Sequence, residues 1–216
     1  MIEFYFDVIS PYVWLASHQL KKIQNNLNLE IQYTPVLFAG LLDAHGNLGP
    51  AEIPAKRKYT VIDTMRWAKK YGLQYQGPPQ HPFNPLKALR SCLYFENNEQ
   101  RAKWLSLLLD ACWSQGRDIS QESTLLDLAK SLKIDGEQLL ESISSPEIKN
   151  KLKQNTLQAV EHGVFGVPTF RVENQIFWGH DRLELLELHL QDKLDIDLKK
   201  CEEILQRPRA VDRKKI

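Results

Sequence analysis

The stretch Ile2-Glu3-Phe4-Tyr5-Phe6-Asp7-Val8-Ile9-Ser10-Pro11-Tyr12-Val13 decides the fold of this 216-residue chain. Residues 2–6 alternate apolar with polar or aromatic side chains and predict a strand. Ser10 suits a helix N-cap, and Pro11 suits the first helical position, where its missing N–H would have no partner anyway. Apolar residues then repeat at helical spacing, at Val13, Ala16, Leu20, Ile23 and Leu27. The stretch therefore predicts a strand that passes directly into a helix.

Length, composition and charge are typical of a soluble globular protein. The 216 residues allow one large domain or two small ones with a substantial core. The chain is 43% hydrophobic and 25% charged, which is ordinary usage. With 28 basic and 27 acidic side chains the net charge is +1, so nothing indicates a nucleic-acid or membrane partner. The basic residues 207–216 are expected to form a frayed tail rather than a binding element.

The cysteines favour a reducing compartment. Cys92, Cys112 and Cys201 form no CxxC pair and have no metal-ligand spacing, so we expect reduced thiols and no metal site. Cys92 and Cys112 lie within helical patterns and are expected to be buried and inert. The N-terminus enters a strand without the basic and apolar regions of a signal peptide, and no apolar run approaches the ~18 residues of a membrane span. We therefore expect a cytoplasmic protein.

A second strand and a long helical block follow the first helix. Residues 30–34 predict a strand that Pro35 ends, which completes a βαβ unit with the crossover helix that parallel strands need. Residues 38–162 show helical periods broken by turn signals and contain no confident strand. Within this block one helix is predicted to close at Gly116, and another to start at Ser145-Pro146.

The chain returns to β-structure after Gly163. Residues 167–172 and 175–178 predict a hairpin, and Asp181 is predicted to cap a last helix. A βαβ unit followed at a distance by ββα is the order of a thioredoxin-like α/β fold with a helical domain inserted in its middle. We therefore predict a discontinuous thioredoxin-like domain, an all-helical insert and a tail, with boundaries at residues 1–37 and 163–200, 38–162, and 201–216.

Ser10 is the first candidate functional residue. A hydroxyl beside the free amide N–H groups of a helix N-terminus can hold a thiolate without being oxidised itself. Thioredoxin-like redox enzymes carry a reactive cysteine at this point. A plain cap is the alternative, because Ser145-Pro146 and Asn84-Pro85 provide similar helix starts. The position directly after the first strand favours function, since ligands of open α/β sheets collect at the carboxyl ends of strands.

The stretch Gly166-Val167-Pro168-Thr169 provides a second candidate. Few X–Pro bonds are cis, about 5–6% in folded proteins. A cis Pro168 directly before a strand would turn the Val167 backbone outward, where its N–H and C=O can pair with an extended peptide. An ordinary trans proline at the start of a strand is the alternative.

The stretch Trp178-Gly179-His180-Asp181-Arg182 provides a third candidate. The Asp181 carboxylate can accept a hydrogen bond from the ammonium group of a ligand, and Arg182 can pair with a carboxylate. A simple helix cap and an exposed arginine are the alternatives. Glutathione combines an ammonium group, two carboxylates, an extended backbone and a thiol, and so matches all three candidates.

Three motifs stand in order along the chain and carry a family resemblance. They are Phe6-Asp7 with Ser10-Pro11-Tyr12 and Leu15-Ala16, then Gly163-Val164-Phe165-Gly166-Val167-Pro168-Thr169-Phe170, then Phe177-Trp178-Gly179-His180-Asp181-Arg182-Leu183. The middle adds Gly46-Asn47, Gly49-Pro50-Ala51, Pro54-Ala55-Lys56, Arg66-Trp67-Ala68 and His81-Pro82-Phe83-Asn84-Pro85. Over roughly residues 2–190 the chain resembles 2-hydroxychromene-2-carboxylate isomerases, which are relatives of kappa-class glutathione transferases within the DsbA-like thioredoxin-fold group.

The resemblance implies a glutathione-dependent isomerase of aromatic catabolism in which Ser10 is catalytic and holds the glutathione thiolate. The backbone at Val167-Pro168 would pair with the cysteinyl part, and the γ-glutamyl end would be bound by Trp178, Gly179, His180 and Asp181. In the family's reaction the thiolate adds reversibly to the chromene and opens its ring, and rotation and elimination give trans-o-hydroxybenzylidenepyruvate. A small aromatic substrate is expected near Leu42, Asn47, Lys56 and Asn84, and a homodimer is expected by analogy.

Two alternative functions remain open on the sequence. A kappa-like transferase would conjugate glutathione irreversibly to another electrophile. A peptide-binding thioredoxin-like module would use the Val167 edge without catalysis. A disulfide oxidoreductase is disfavoured because Ser10 and Val13 occupy both positions where its cysteines would stand.

Overall fold

The computed structural model describes residues 1–211 and contains a four-stranded sheet. Its strands are β1 (Ile2–Phe6), β2 (Ile31–Pro35), β3 (Thr169–Val172) and β4 (Gln175–Trp178). The strand order is β2-β1-β3-β4, with β2 parallel to β1, and with β3 antiparallel to both β1 and β4. The sequence predicted this arrangement of a parallel βαβ unit and a later hairpin.

Helices surround the sheet. They are α1 (Pro11–Leu27), α2 (Phe38–Ala44), α3 (Pro54–Tyr71), α4 (Leu86–Leu93), α5 (Asn98–Leu109), α6 (Glu122–Ser131), α7 (Gly136–Ser144), α8 (Pro146–Glu161), α9 (Leu183–Leu190) and α10 (Leu198–Leu205). Short 3₁₀ turns lie at Pro50–Glu52 and His180–Arg182, and a π-helical turn lies at Asp110–Ser114. Helices α2 to α8 all fall between β2 and β3, where the described chain contains no strand. No helix within residues 1–211 is long and apolar enough to span a bilayer.

Strand β1 lies at the centre of the core. Phe4 and Phe6 are fully buried, and Phe4 stacks on Phe170 of β3 with ring centroids 4.9 Å apart. The two residues lie opposite each other in the β1–β3 register, so their rings form a cross-strand pair that stabilises the sheet. Four of the five residues of β1 are buried, and the exception is Glu3, which is half-buried and pairs with Arg171 of β3.

Arg101 on α5 ties the helical segment to the sheet. Its guanidinium is almost fully buried and donates to three backbone carbonyl oxygens. The acceptors are Cys92 at 3.1 Å, Tyr33 of β2 at 3.0 Å and Phe95 at 2.7 Å. A buried cation is tolerated when its donors are satisfied in this way.

Several local predictions need correction. Helix α9 is not the last helix, since α10 covers residues 201–205 of the predicted tail. The predicted burial of Cys92 and Cys112 is confirmed. Of the predicted frayed end, residues 207–211 are exposed and not helical, and residues 212–216 lie outside the described residues.

Candidate active site

Ser10 stands at the N-cap position of α1, directly after the loop that leaves β1. Its backbone carbonyl oxygen accepts the N–H of Val13 at 3.1 Å and the N–H of Trp14 at 3.4 Å. Its side chain makes no capping hydrogen bond, and Ser10 is 8% exposed. Within residues 1–211 its hydroxyl makes no hydrogen bond with another protein group, and its oxygen keeps some contact with solvent. The predicted side-chain cap therefore does not form, although the position itself is correct.

The two similar helix starts behave differently from Ser10. The Ser145 Oγ accepts the N–H of Ile148 at 3.2 Å, and the Asn84 Oδ1 accepts the N–H of Leu86 at 3.0 Å. At both positions the side-chain oxygen satisfies an N–H group of the helix start. At Ser10 it remains available, beside the N-terminus of a 17-residue helix whose dipole favours an anion.

Asp7 lies between β1 and Ser10 and is fully buried. Its Oδ1 accepts the N–H of Ile9 at 3.0 Å, and its Oδ2 accepts the N–H of Phe38, the first residue of α2, at 2.8 Å. Burial raises the pKa of Asp7 to about 7, while the two backbone hydrogen bonds act in the opposite direction. Asp7 had no predicted role, although a carboxylate directly after a buried strand was a usable signal.

Two aromatic side chains from distant segments hold the carbonyl groups of the same loop. His81 Nε2 lies 3.0 Å from the carbonyl oxygen of Ile9. Because a carbonyl oxygen can only accept, Nε2 carries the proton in this contact. Trp113, within the π-helical turn, donates its indole N–H to the carbonyl oxygen of Val8 at 3.1 Å. Neither contact was predicted from the sequence.

The Val167–Pro168 peptide bond is cis. Val167 is 6% exposed, and within the described chain neither its N–H nor its carbonyl oxygen makes a hydrogen bond. The carbonyl oxygen of Pro168 accepts the N–H of Gly179 at 2.9 Å. This hydrogen bond joins the two candidate stretches at residues 166–169 and 178–182.

Trp178 and Gly166 form a close contact across these segments. Trp178 is 51% exposed and packs edge-on against Phe165, with ring centroids 4.9 Å apart. A Cβ atom added at Gly166 would lie 2.6 Å from Trp178 Nε1. The absence of a side chain at Gly166 thus provides the space that the Trp178 indole occupies.

His180 and Asp181 differ in their surroundings. His180 is 4% exposed, its ring lies edge-on to Trp67, and burial lowers its pKa. Asp181 lies in the 3₁₀ turn, and its carboxylate pairs with Arg182 Nη1 at 2.6 Å. Helix α9 begins after this turn, at Leu183, without a side-chain cap. The prediction that Asp181 caps the helix is therefore wrong.

The four predicted substrate residues are less closely connected. Leu42 lies on α2, and its carbonyl oxygen accepts the N–H of Asn47 at 2.9 Å. Asn47, Lys56 and Asn84 are exposed. No hydrogen bond within residues 1–211 links Lys56 or Asn84 to Leu42 and Asn47. The substrate role of all four residues stays a prediction.

Known proteins resemble this chain over most of its length. The family of DSBA-like thioredoxin domains matches residues 1–191. The 2-hydroxychromene-2-carboxylate isomerase of Sphingobium xenophagum is 32% identical over 193 residues, which cover 88% of this chain and 98% of that protein. Glutathione S-transferase kappa 1 of Homo sapiens is 31% identical over 206 residues, covering 89% of this chain and 91% of the relative. A solved structure of a 2-hydroxychromene-2-carboxylate isomerase superposes with a TM-score of 0.83 at 28% identity, over 95% of this chain and 99% of that one.

Proposed function

Because the chain belongs to the DsbA-like thioredoxin family, and within it to the family of 2-hydroxychromene-2-carboxylate isomerases, we propose that it is a glutathione-dependent isomerase of 2-hydroxychromene-2-carboxylate-like aromatic compounds. The observation that carries the proposal is the free hydroxyl of Ser10. It lies at a helix N-terminus, is nearly buried, and has no partner within the described residues. A hydroxyl in that setting can donate to a ligand in place of water, without breaking a hydrogen bond within the protein.

The proposed glutathione site fits the groups that the fold leaves unused. The Ser10 hydroxyl would donate to the thiolate, and the N-terminus of α1 would add electrostatic stabilisation. The unpaired N–H and C=O of Val167 would bind the cysteinyl backbone as an added strand. The γ-glutamyl end would lie against the exposed side chains of Trp178 and Asp181. Gly179 and His180 would contribute backbone groups, because the His180 ring is buried.

Glutathione would supply a thiolate that adds reversibly to the substrate and leaves again without a net redox change. The residues of this chain would hold that sulfur as an anion, which makes it both more abundant and a better leaving group. The aromatic substrate would lie near Leu42, Asn47, Lys56 and Asn84, where Lys56 can attract a carboxylate. Ser10 would then be the catalytic residue, since it contacts the reacting sulfur.

Turnover with substoichiometric glutathione tests the proposal. An isomerase should convert many equivalents of 2-hydroxychromene-2-carboxylate for each glutathione, and free glutathione should be recovered. If turnover instead stops after one equivalent and mass spectrometry finds a stable thioether, the protein is a kappa-like transferase. That second candidate is favoured by the 31% identity to the human kappa enzyme.

Thermal melting tests the cofactor separately. Glutathione at 100 times its dissociation constant should stabilise the fold by about 2.7 kcal/mol, because it binds the folded state alone. No rise in melting temperature, together with no heat of binding in calorimetry, would reject glutathione and leave the peptide-binding module as the remaining reading.

A cytoplasmic location and a homodimer are proposed with the function. Cell fractionation and sedimentation velocity check them.

A further inference from the structure

The peptide group directly before Ser10 is held at both of its polar atoms. Its N–H, on Ser10, donates to the carbonyl oxygen of Asp7 at 3.1 Å. Its C=O, on Ile9, accepts the imidazole N–H of His81 at 3.0 Å. Since a peptide group is planar, two hydrogen bonds on its opposite edges fix the orientation of the plane. That plane, together with the φ of −94° at Ser10, sets the direction in which the Ser10 Cα–Cβ bond leaves the chain.

His81 comes from outside the βαβ unit, from the segment between α3 and α4. The ring is half-buried and packs against Trp113 with centroids 5.5 Å apart, so it has a defined position. The backbone of the same residue is also held, because Arg57 Nη2 of α3 donates to the His81 carbonyl oxygen at 3.2 Å. The helical segment thus reaches the loop of the thioredoxin-like part through a side chain that is itself fixed.

We propose that His81 is a positioning residue for Ser10: its imidazole N–H holds the Ile9 carbonyl so that the Ser10 hydroxyl and the N-terminus of α1 face the glutathione thiolate. This inference rests on the proposed function and assigns a role to a residue outside the predicted glutathione and substrate contacts. His81 acts through Ile9 and does not touch the sulfur.

The contact also has an electrostatic consequence. The Ile9 carbonyl belongs to the peptide group that joins Ser10, so without a donor on its oxygen it would add partial negative charge near the proposed thiolate. An N–H donor on that oxygen opposes this charge with its own dipole, and in a partly buried site the effect is larger than in water. Burial and the nearby Arg57 lower the pKa of His81, so the ring donates as a neutral group. The expected signature is therefore a change in the pKa of the bound glutathione thiol.

The test compares His81→Leu, which has no donor, with His81→Gln, whose amide N–H lies near the place of Nε2. The pKa of the glutathione thiol in the complex is read from the ultraviolet absorbance of the thiolate, and kcat/KM is measured in parallel. His81→Leu should raise that pKa and lower kcat/KM roughly 3- to 10-fold, the range expected for one neutral hydrogen bond. His81→Gln should recover most of both.

His162→Leu provides the matched control. The His162 ring pairs with the Tyr5 hydroxyl at 2.7 Å, and neither residue is among the proposed glutathione or substrate contacts. This variant should lose stability but keep the wild-type thiol pKa and kcat/KM. If His81→Leu does not fold, His81→Asn replaces it, because its shorter amide does not reach Ile9.

The outcomes separate the two proposals. Wild-type protein that fails to bind glutathione overturns both of them. Wild-type protein that binds glutathione, with a His81→Leu variant of unchanged thiol pKa and kcat/KM, overturns the role of His81 alone. A His81→Gln variant no better than His81→Leu also overturns it, since the donor would then be irrelevant.

Discussion

The rings of Tyr12 and His180 stack face to face, with centroids 5.1 Å apart and planes within 5° of parallel. The Tyr12 hydroxyl donates to Asp63 of α3 at 3.0 Å, and Trp67 of the same helix lies edge-on to His180 at 4.7 Å. The residue two positions after Ser10 thus packs on the 3₁₀ turn that follows β4. The first and third predicted segments, which are far apart in sequence, meet through this stack.

Ser10→Ala and Ser145→Ala should separate function from capping. Ser10 makes no side-chain cap, so Ser10→Ala should change the free energy of unfolding by less than about 0.5 kcal/mol, whereas Ser145→Ala should cost about 0.5–2 kcal/mol. Loss of a hydrogen bond to a charged sulfur should lower glutathione-dependent kcat/KM of Ser10→Ala roughly 10- to 100-fold. Urea denaturation and steady-state kinetics measure the two effects. Equal activity in both variants would make Ser10 merely structural.

Ser10→Cys should not create a disulfide oxidoreductase. Val13 stands where a resolving cysteine would be and is buried, and Cys92 and Cys112 are buried as well. The new thiol should form a mixed disulfide with oxidised glutathione, seen as an added glutathione mass. Reduction of insulin disulfides should stay at background. Sustained insulin reduction would show that another group resolves the mixed disulfide.

Gly166→Ala should displace the Trp178 indole. The added Cβ would lie 2.6 Å from Trp178 Nε1, a distance that requires one of the two groups to move. Weaker glutathione binding in calorimetry is the expected result, together with a shift in tryptophan fluorescence. Gly46→Ala is the control, because nothing lies within 4 Å of its added Cβ and its positive φ gives a backbone cost alone. Unchanged affinity in Gly166→Ala would remove Trp178 from the site.

Asp7→Asn should alter the pH dependence of stability. The carboxyl of Asp7 has a pKa of about 7 in the folded protein against a usual value of 3.8, so the folded state binds the proton more tightly. Ionisation of Asp7 therefore lowers the free energy of unfolding as pH rises from about 4 to about 7. The amide nitrogen of the variant can only donate, so one of the two backbone hydrogen bonds is lost at every pH. The stability difference from wild type should nevertheless shift in favour of the variant as pH rises across this window, by on the order of a few kcal/mol. Urea denaturation at several pH values measures the difference, and a difference independent of pH would contradict the buried, titrating carboxyl.

Much of the fold could be predicted because its signals are local. Apolar periodicity identified β1 and α1, and Pro11 marked the first turn of the helix. The order of strands and helices then favoured one sheet topology. The predicted cap at Asp181 was wrong because a 3₁₀ turn precedes α9. The preference of aspartate for helix starts does not distinguish the start of a 3₁₀ turn from the start of an α-helix.

The sequence by itself determined that a serine follows the first strand at a helix start, and that Val167-Pro168 leads into a later hairpin. The tertiary structure alone decided that the Ser10 hydroxyl stays free while the Ser145 hydroxyl caps its helix. It also decided that His81 and Trp113 hold the carbonyl groups of Ile9 and Val8. The physical reason is how far apart in sequence the interacting residues lie. Helix starts and strand patterns depend on neighbouring residues, whereas these hydrogen bonds join segments that only the packed core brings together.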